Sequence, residues 1–125
     1  MQDGKHVILC IDDDDDVLDS LRVVLEAQSY LVLTASTAEE GLKVYKKEKP
    51  DLVIVDLMME EIDAGTLFVK EMKALGSEIP IYMLSSMGDT LNQAVDYSAL
   101  GLTGVLQKPV KPEILLKLVG GKLKA

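Results

Sequence analysis

Cysteine is almost missing from this chain: Cys10 is the only one among 125 residues. A single thiol excludes an internal disulfide and any cysteine-cluster metal site. Its place inside the apolar run Val7 to Ile11 marks it as a packed strand residue rather than a reactive one. Long hydrophobic runs are missing too. Apolar residues make up 48% of the sequence but come in short blocks, far below the roughly 20 consecutive residues that span a bilayer, so no membrane passage is expected. The polar start, Met1 to His6, leads into an apolar run that meets Asp12 at once. That is not the form of a cleavable signal, and a cytoplasmic location is the default expectation. Positive charge is in short supply: 13 Lys and Arg stand against 21 Asp and Glu, for a formal net charge of −8. Duplex phosphates attract Lys and Arg surfaces, so direct nucleic-acid binding is not expected. No internal repeat is seen. The glycines that a dinucleotide fold places after its first strand are replaced by negative charge, which repels a pyrophosphate.

What is there suits one domain over residues 1–125, with a core from about 6 to 119 and the stretch 120–125 as a tail or the start of a linker. Apolar blocks recur at Val7 to Ile11, Leu31 to Ala35, Leu52 to Val55, Ile81 to Leu84 and Val105 to Gln107. Each is short enough for a strand, and several are β-branched. Between them, apolar positions recur at three- and four-residue steps, as amphipathic helices require: Val17, Leu21, Val24 and Leu25; Ala38, Leu42 and Tyr45; Phe68, Met72 and Leu75; Leu91, Ala94 and Val95; Ile114 and Leu118. Asp14 to Asp16, Thr37 with Glu40, and Pro112 with Glu113 mark helix starts. Gly76, Gly101 and Gly120 mark stops. Strand and helix alternate five times, which predicts an α/β fold with a parallel sheet and helices on both faces.

In such folds the site lies at the carboxyl ends of the strands. Asp12 and Asp13, Asp56, Ser85, and Lys108 stand there: a carboxylate pair, a single carboxylate, a hydroxyl and an ammonium. Three carboxylates close together repel one another unless a cation intervenes. Magnesium answers that need, being a hard ion with a preference for oxygen ligands. Asp56 could then act as nucleophile toward a phosphoryl donor, with Lys108 and the Ser85 hydroxyl taking phosphoryl oxygens. Each residue alone has a plainer reading. The run Asp12 to Asp16 could cap a helix, though capping needs one or two aspartates rather than five. Asp56 and Ser85 could be loop residues, Lys108 a solvated cation, and His6 a surface residue. Four such placements on one edge of a sheet favour the joint reading.

The pieces VILCIDDDDDVLDSL, DLVIVDLMMEEID, PIYMLSS and GVLQKPVKPEILLKLV resemble the response-regulator receiver family of two-component systems, from Val7 to Val119. The resemblance implies a five-stranded parallel sheet in the order 2-1-3-4-5 and a phosphoacceptor at Asp56. It implies Mg2+ bound by Asp13, Asp56 and the backbone carbonyl of Met58, with Asp12 acting mainly through water. Ser85 matches the switch hydroxyl, with Ser86 beside it, and Lys108 the phosphate-binding lysine, followed by a cis bond to Pro109. A sensor histidine kinase or histidine phosphotransfer protein would be the donor, and an output domain or protein target the receiver of the signal. Two copies could pair through the fourth and fifth amphipathic stretches. Four positions depart from the family pattern: Glu60 replaces a usual proline, Ala64 a glycine, Val110 a common Phe, and Val105 the Tyr or Phe whose rotamer relays the switch.

Two other functions fit parts of the sequence. Asp13 to Val17 matches by letter the Asp-x-Asp-x-Thr/Val motif of the haloacid dehalogenase superfamily, which would make Asp13 the covalent aspartate. Glu60 and Val105 suit a receiver-like scaffold that signals by contact without phosphorylation. A calcium loop is excluded, because Val17 stands where glycine is needed and no glutamate closes the loop. The sequence ends soon after the fifth amphipathic stretch, so no output domain is expected within it. Either a stand-alone regulator or a receiver cut from a longer protein fits.

Overall fold

Odd and even residues of the strands have different fates, and that alternation builds the molecule. The computed structural model describes residues 4–56, 64–76, 78–86, 103–108 and 110–123, and for 64–67 and Ser86 the backbone alone. Five strands, β1 (Val7–Ile11), β2 (Leu31–Ala35), β3 (Leu52–Asp56), β4 (Ile81–Ser86) and β5 (Gly104–Lys108), form one sheet in the order β2-β1-β3-β4-β5. Every neighbouring pair is parallel. The helices are α1 (Asp15–Glu26), α2 (Ala38–Glu48), α3 (Ala64–Ala74) and a C-terminal helix, Pro112–Lys122. The fourth amphipathic stretch, around Leu91 to Val95, and Gly101 lie outside the described residues.

Successive strand side chains point to opposite faces, and both faces are covered. Ile8, Cys10, Leu52, Ile54, Tyr82, Leu84 and Leu106 pack with Leu18, Leu21 and Leu25 of α1 and with Leu115 and Val119 of the C-terminal helix. Leu9, Ile11, Val53, Val55, Ile81 and Met83 pack with Phe68, Val69 and Met72 of α3, with α2 side chains alongside. Continuous burial along β1 and β3 is what a parallel sheet between two helical layers demands. Cys10 is fully buried, and burial pushes its thiol up to about 12, so it is a core side chain. Gly41 brings α2 close to the sheet: a Cβ there would collide with Ile11 Cδ1 and sit 2.9 Å from its Cγ1.

The helix starts fall where the capping residues stand. Asp14 caps α1, its side chain accepting from Asp16 N–H. Thr37 Oγ1 accepts from Glu40 N–H at 3.0 Å, and Pro112 opens the C-terminal helix. Gly76, at φ +83°, follows the end of α3. Gly120 does not end the last helix. That helix runs through Gly120 and Gly121 to Lys122 because Leu123, 8% exposed, packs into the core and its N–H bonds Val119 O at 2.9 Å. Tertiary burial outweighs the roughly 1 kcal/mol that each helical glycine costs. His6 is likewise not a surface residue: its side chain is 19% exposed, with Nδ1 3.9 Å from Asp51 Oδ2. No described helix is long and apolar enough to cross a membrane.

Candidate functional site

The carboxyl edge of the sheet gathers the polar ends of β1, β3 and β5. The parallel ladder runs further than the apolar blocks suggest: Asp56, Ser85 and Lys108 are strand residues rather than loop residues. A strand position holds a side chain more firmly than a loop does, which a reacting group needs. On β3, Asp56 continues the alternation of Leu52 and Ile54, and on β5, Lys108 continues that of Leu106. Their heads therefore rise over the sheet face that carries α1. Asp12 follows β1 directly, and its N–H bonds Ala35 O at 3.1 Å, extending the β1–β2 ladder by one step.

The ammonium of Lys108 sits between two carboxylates. Its Nζ is 2.9 Å from Asp12 Oδ2 and 3.2 Å from Asp56 Oδ1. Asp12 is fully buried and Asp56 is 4% exposed, so the cation offsets negative charge that little water reaches. Burial acts to lower the Lys108 pKa, but Asp12 and Asp56 outweigh it, and the net shift is upward from the ordinary 10.5. Lys108 stays charged across the physiological range.

The five-aspartate run divides its work. Asp12 Oδ1 accepts from Asp14 N–H at 2.9 Å, shaping the turn into α1, while Oδ2 faces Lys108. Asp14 is the cap, and Asp15 and Asp16 lie in the first helical turn, where negative charge complements the helix dipole. Asp13 is exposed, yet one of its oxygens groups with one each from Asp12 and Asp56, all within 4.8 Å of one another. Capping and site chemistry thus share one run, assigned to different members.

That trio could hold a cation. All three donors are carboxylate oxygens, the set a hard divalent ion prefers. Asp12 Oδ2 is buried with an ionic neighbour but no aligned hydrogen bond, so it retains accepting capacity. Magnesium, typically held by one or two carboxylates and otherwise by water, would fit this donor set.

Ser85 is fully buried on β4, one residue beyond Leu84, the register partner of Asp56. Val105 is half-buried beside Met83. Met58, Glu60 and Pro109 lie outside the described residues, as does the side chain of Ser86. An open groove of about 610 Å³ between α1 and the C-terminal helix reaches the site; Val17, Leu21, Val24, Val110 and Leu115 line it together with Lys108. The apolar steps of α1 were legible in the sequence, but a groove between two helices distant in the chain was not.

Residues 8–120 match the response regulator receiver domain family. Among curated proteins, the transcriptional regulatory protein GlrR of Escherichia coli is 35% identical over 116 residues, 93% of this chain and 26% of that protein. The alkaline phosphatase synthesis transcriptional regulatory protein PhoP of Bacillus subtilis is 33% identical over 105 residues, 84% of this chain and 43% of that protein. The chain thus spans about a quarter to under a half of the length of these relatives. Among solved structures, a response regulator receiver domain protein from Clostridium thermocellum aligns with a TM-score of 0.84 at 29% identity, covering 94% of this chain and 93% of that one. The chemotaxis response regulator CheY4 of Vibrio cholerae aligns with a TM-score of 0.83 at 30% identity, covering 96% and 100%. With that match spanning nearly its whole length and the strand order seen here, this chain belongs to the response regulator receiver domain family.

Proposed function

We propose that this receiver domain is switched by phosphorylation of Asp56, with a sensor histidine kinase or a histidine phosphotransfer protein as donor and Mg2+ as cofactor. The observation that carries the reading is the Lys108 ammonium, within 3.2 Å of both Asp12 and Asp56 at the rim of a three-carboxylate cluster. An Asp56 oxygen bonds to phosphorus while the N–P bond of the donor histidine breaks and the imidazole leaves with its electron pair. Lys108 pairs with a phosphoryl oxygen as negative charge gathers. Asp13 and Asp56, with the Met58 carbonyl, would hold Mg2+, and Asp12 would act mainly through water; when bound, the ion would offset the carboxylate charge and that of the incoming phosphoryl oxygens.

The acyl phosphate carries about −1.5 to −2 charges where the carboxylate carried one, and it brings three strong acceptor oxygens to a buried position. Lys108 turns toward it, and the Ser85 hydroxyl, with Ser86 next to it, supplies a hydrogen bond that draws β4 inward. This shifts an existing two-state equilibrium. Val105 is too small to act as the aromatic relay. The groove beside Lys108 is where the donor protein docks, because a helix laid there brings its histidine near Asp56. The signal is passed on to an output domain or a protein target. Two copies meeting through the C-terminal helix and the fourth amphipathic stretch would cover Ile114, 47% exposed.

The test is intact-mass analysis after incubation with acetyl phosphate and Mg2+. One phosphoryl adduct is expected, lost on Asp56→Asn and retained on Asp13→Asn at higher Mg2+. No adduct, or one that survives Asp56→Asn, overturns the reading. Transfer of the adduct to Asp13 chemistry would instead favour a dehalogenase-like enzyme.

A further inference from the structure

Among the described residues, β2 is an edge strand away from the Asp56 site and pairs with β1 alone. Leu31 N–H bonds His6 O and Ala35 O accepts from Asp12 N–H, so by the alternation of a parallel ladder Leu31, Leu33 and Ala35 turn their backbone groups toward β1. Val32 and Thr34 turn theirs outward. A hollow of about 320 Å³ runs along this edge, with Val32, Leu33 and Val44 as its apolar lining.

Three cations line the same hollow: Arg22 from α1, and Lys43 and Lys47 from α2. One carboxylate, Glu48, lines it too. This is a basic strip on a protein of net charge −8. Lys43 lies 3.6 Å from Glu39, but both side chains are more than three-quarters exposed, and such a pair is readily exchanged. Arg22 adds a guanidinium to the strip. Its Nη2 donates to Thr34 Oγ1 at 3.3 Å, on the outward-turned residue of β2, while its Nε is enclosed. An incoming carboxylate therefore meets this guanidinium at its Nη groups, whose adjacent N–H bonds can take both carboxylate oxygens.

We propose that the outer edge of β2 docks an extended acidic segment of a partner protein, which adds as a sixth strand. Its backbone pairs with Val32 and Thr34, the mode in which a peptide extends a sheet edge. Its side chains alternate between the two faces, so successive carboxylates meet Arg22 on the α1 side and Lys43 or Lys47 on the α2 side. Consecutive acidic residues flanked by β-branched ones fit this strip. The lysines also deter pairing of two copies edge to edge, since like charges would face each other.

The test is an amide NMR titration of the whole chain with the blocked peptide Val-Glu-Glu-Glu-Val, against Val-Gln-Gln-Gln-Val and free glutamate. Saturable shifts and slowed exchange at Val32 and Thr34 are expected with the acidic peptide. Its affinity should fall at least tenfold in the double variant Lys43→Gln/Lys47→Gln, whose changes are on the surface, and in Arg22→Gln. The proposal is overturned if β2 amides do not move at millimolar peptide, if free glutamate produces the same shifts, or if the glutamine peptide binds equally well. Modification of Asp56 by acetyl phosphate, followed in parallel, reports on the other site and is expected to be unchanged in these variants.

Discussion

Consider Lys108→Met, which keeps the aliphatic stem and deletes the ammonium between two buried carboxylates. At an effective dielectric of ~20, charges 2.9 Å and 3.2 Å apart attract by about 5 to 6 kcal/mol each. Against this stands the cost of desolvating the ammonium, several kcal/mol, moderated because the side chain keeps 20% exposure. Removing one partner of a buried pair typically costs about 3 to 5 kcal/mol, and partial exposure here brings the expected loss to about 2 to 4 kcal/mol at pH 7 without divalent ions. With a urea slope of about 2 kcal/mol per molar, the midpoint should fall by about 1 to 2 M. Millimolar Mg2+ should recover more stability in the variant than in the wild type, because a bound cation stabilises the folded state by mass action. The pH dependence has a definite sign. A folded-state pKa above the ordinary 10.5 means the Lys108 contribution is fully present below that value and is lost as pH rises through the folded pKa. The gap between wild type and variant should therefore narrow on the alkaline side. Urea melts followed by circular dichroism at pH 7 and above pH 10.5 provide the assay. A gap under about 0.5 kcal/mol at pH 7, or one that widens with rising pH, would refute the reasoning.

Other positions give equally direct tests. Gly120→Ala and Gly121→Ala should each stabilise the protein by about 0.5 to 1 kcal/mol in thermal melts, since a Cβ at either meets nothing within 4 Å and both residues are helical; a loss would mean that the helix stops at Gly120. Gly41→Ala should cost a net ~1 kcal/mol or more, crowding against Ile11 outweighing the gain in helix propensity. Ile11→Val, which deletes the colliding methyl, should recover part of that cost in a double-mutant cycle. Cys10, fully buried with its thiol pushed up to about 12, should resist iodoacetamide at pH 8 in the folded protein and react only as urea unfolds it; rapid labelling of native protein would contradict its place in the core.

Strand and helix order, the capping at Asp14 and Thr37, and the parallel sheet were legible because local periods of two and 3.6 residues record burial directly. So were Asp12, Asp56 and Lys108 as members of one edge, since strand ends in a parallel sheet converge whatever the loops do. The run of five aspartates was legible as a feature but not in its division of labour. Only the turn after β1 decides that Asp12 is buried against Lys108, that Asp13 edges the cluster and that Asp14 caps α1. Gly120 and His6 misled for a related reason: glycine propensity and a position outside a strand are local signals, whereas the burial of Leu123 and of the His6 ring depends on what packs over them. The same holds for the groove beside Lys108 and the basic hollow along β2. The walls of the groove come from α1 and the C-terminal helix, far apart in sequence, and those of the hollow from α1, β2 and α2, which only the packing of consecutive elements brings side by side; the chain alone determined which residues carry charge, and the tertiary structure decided which charges face one another.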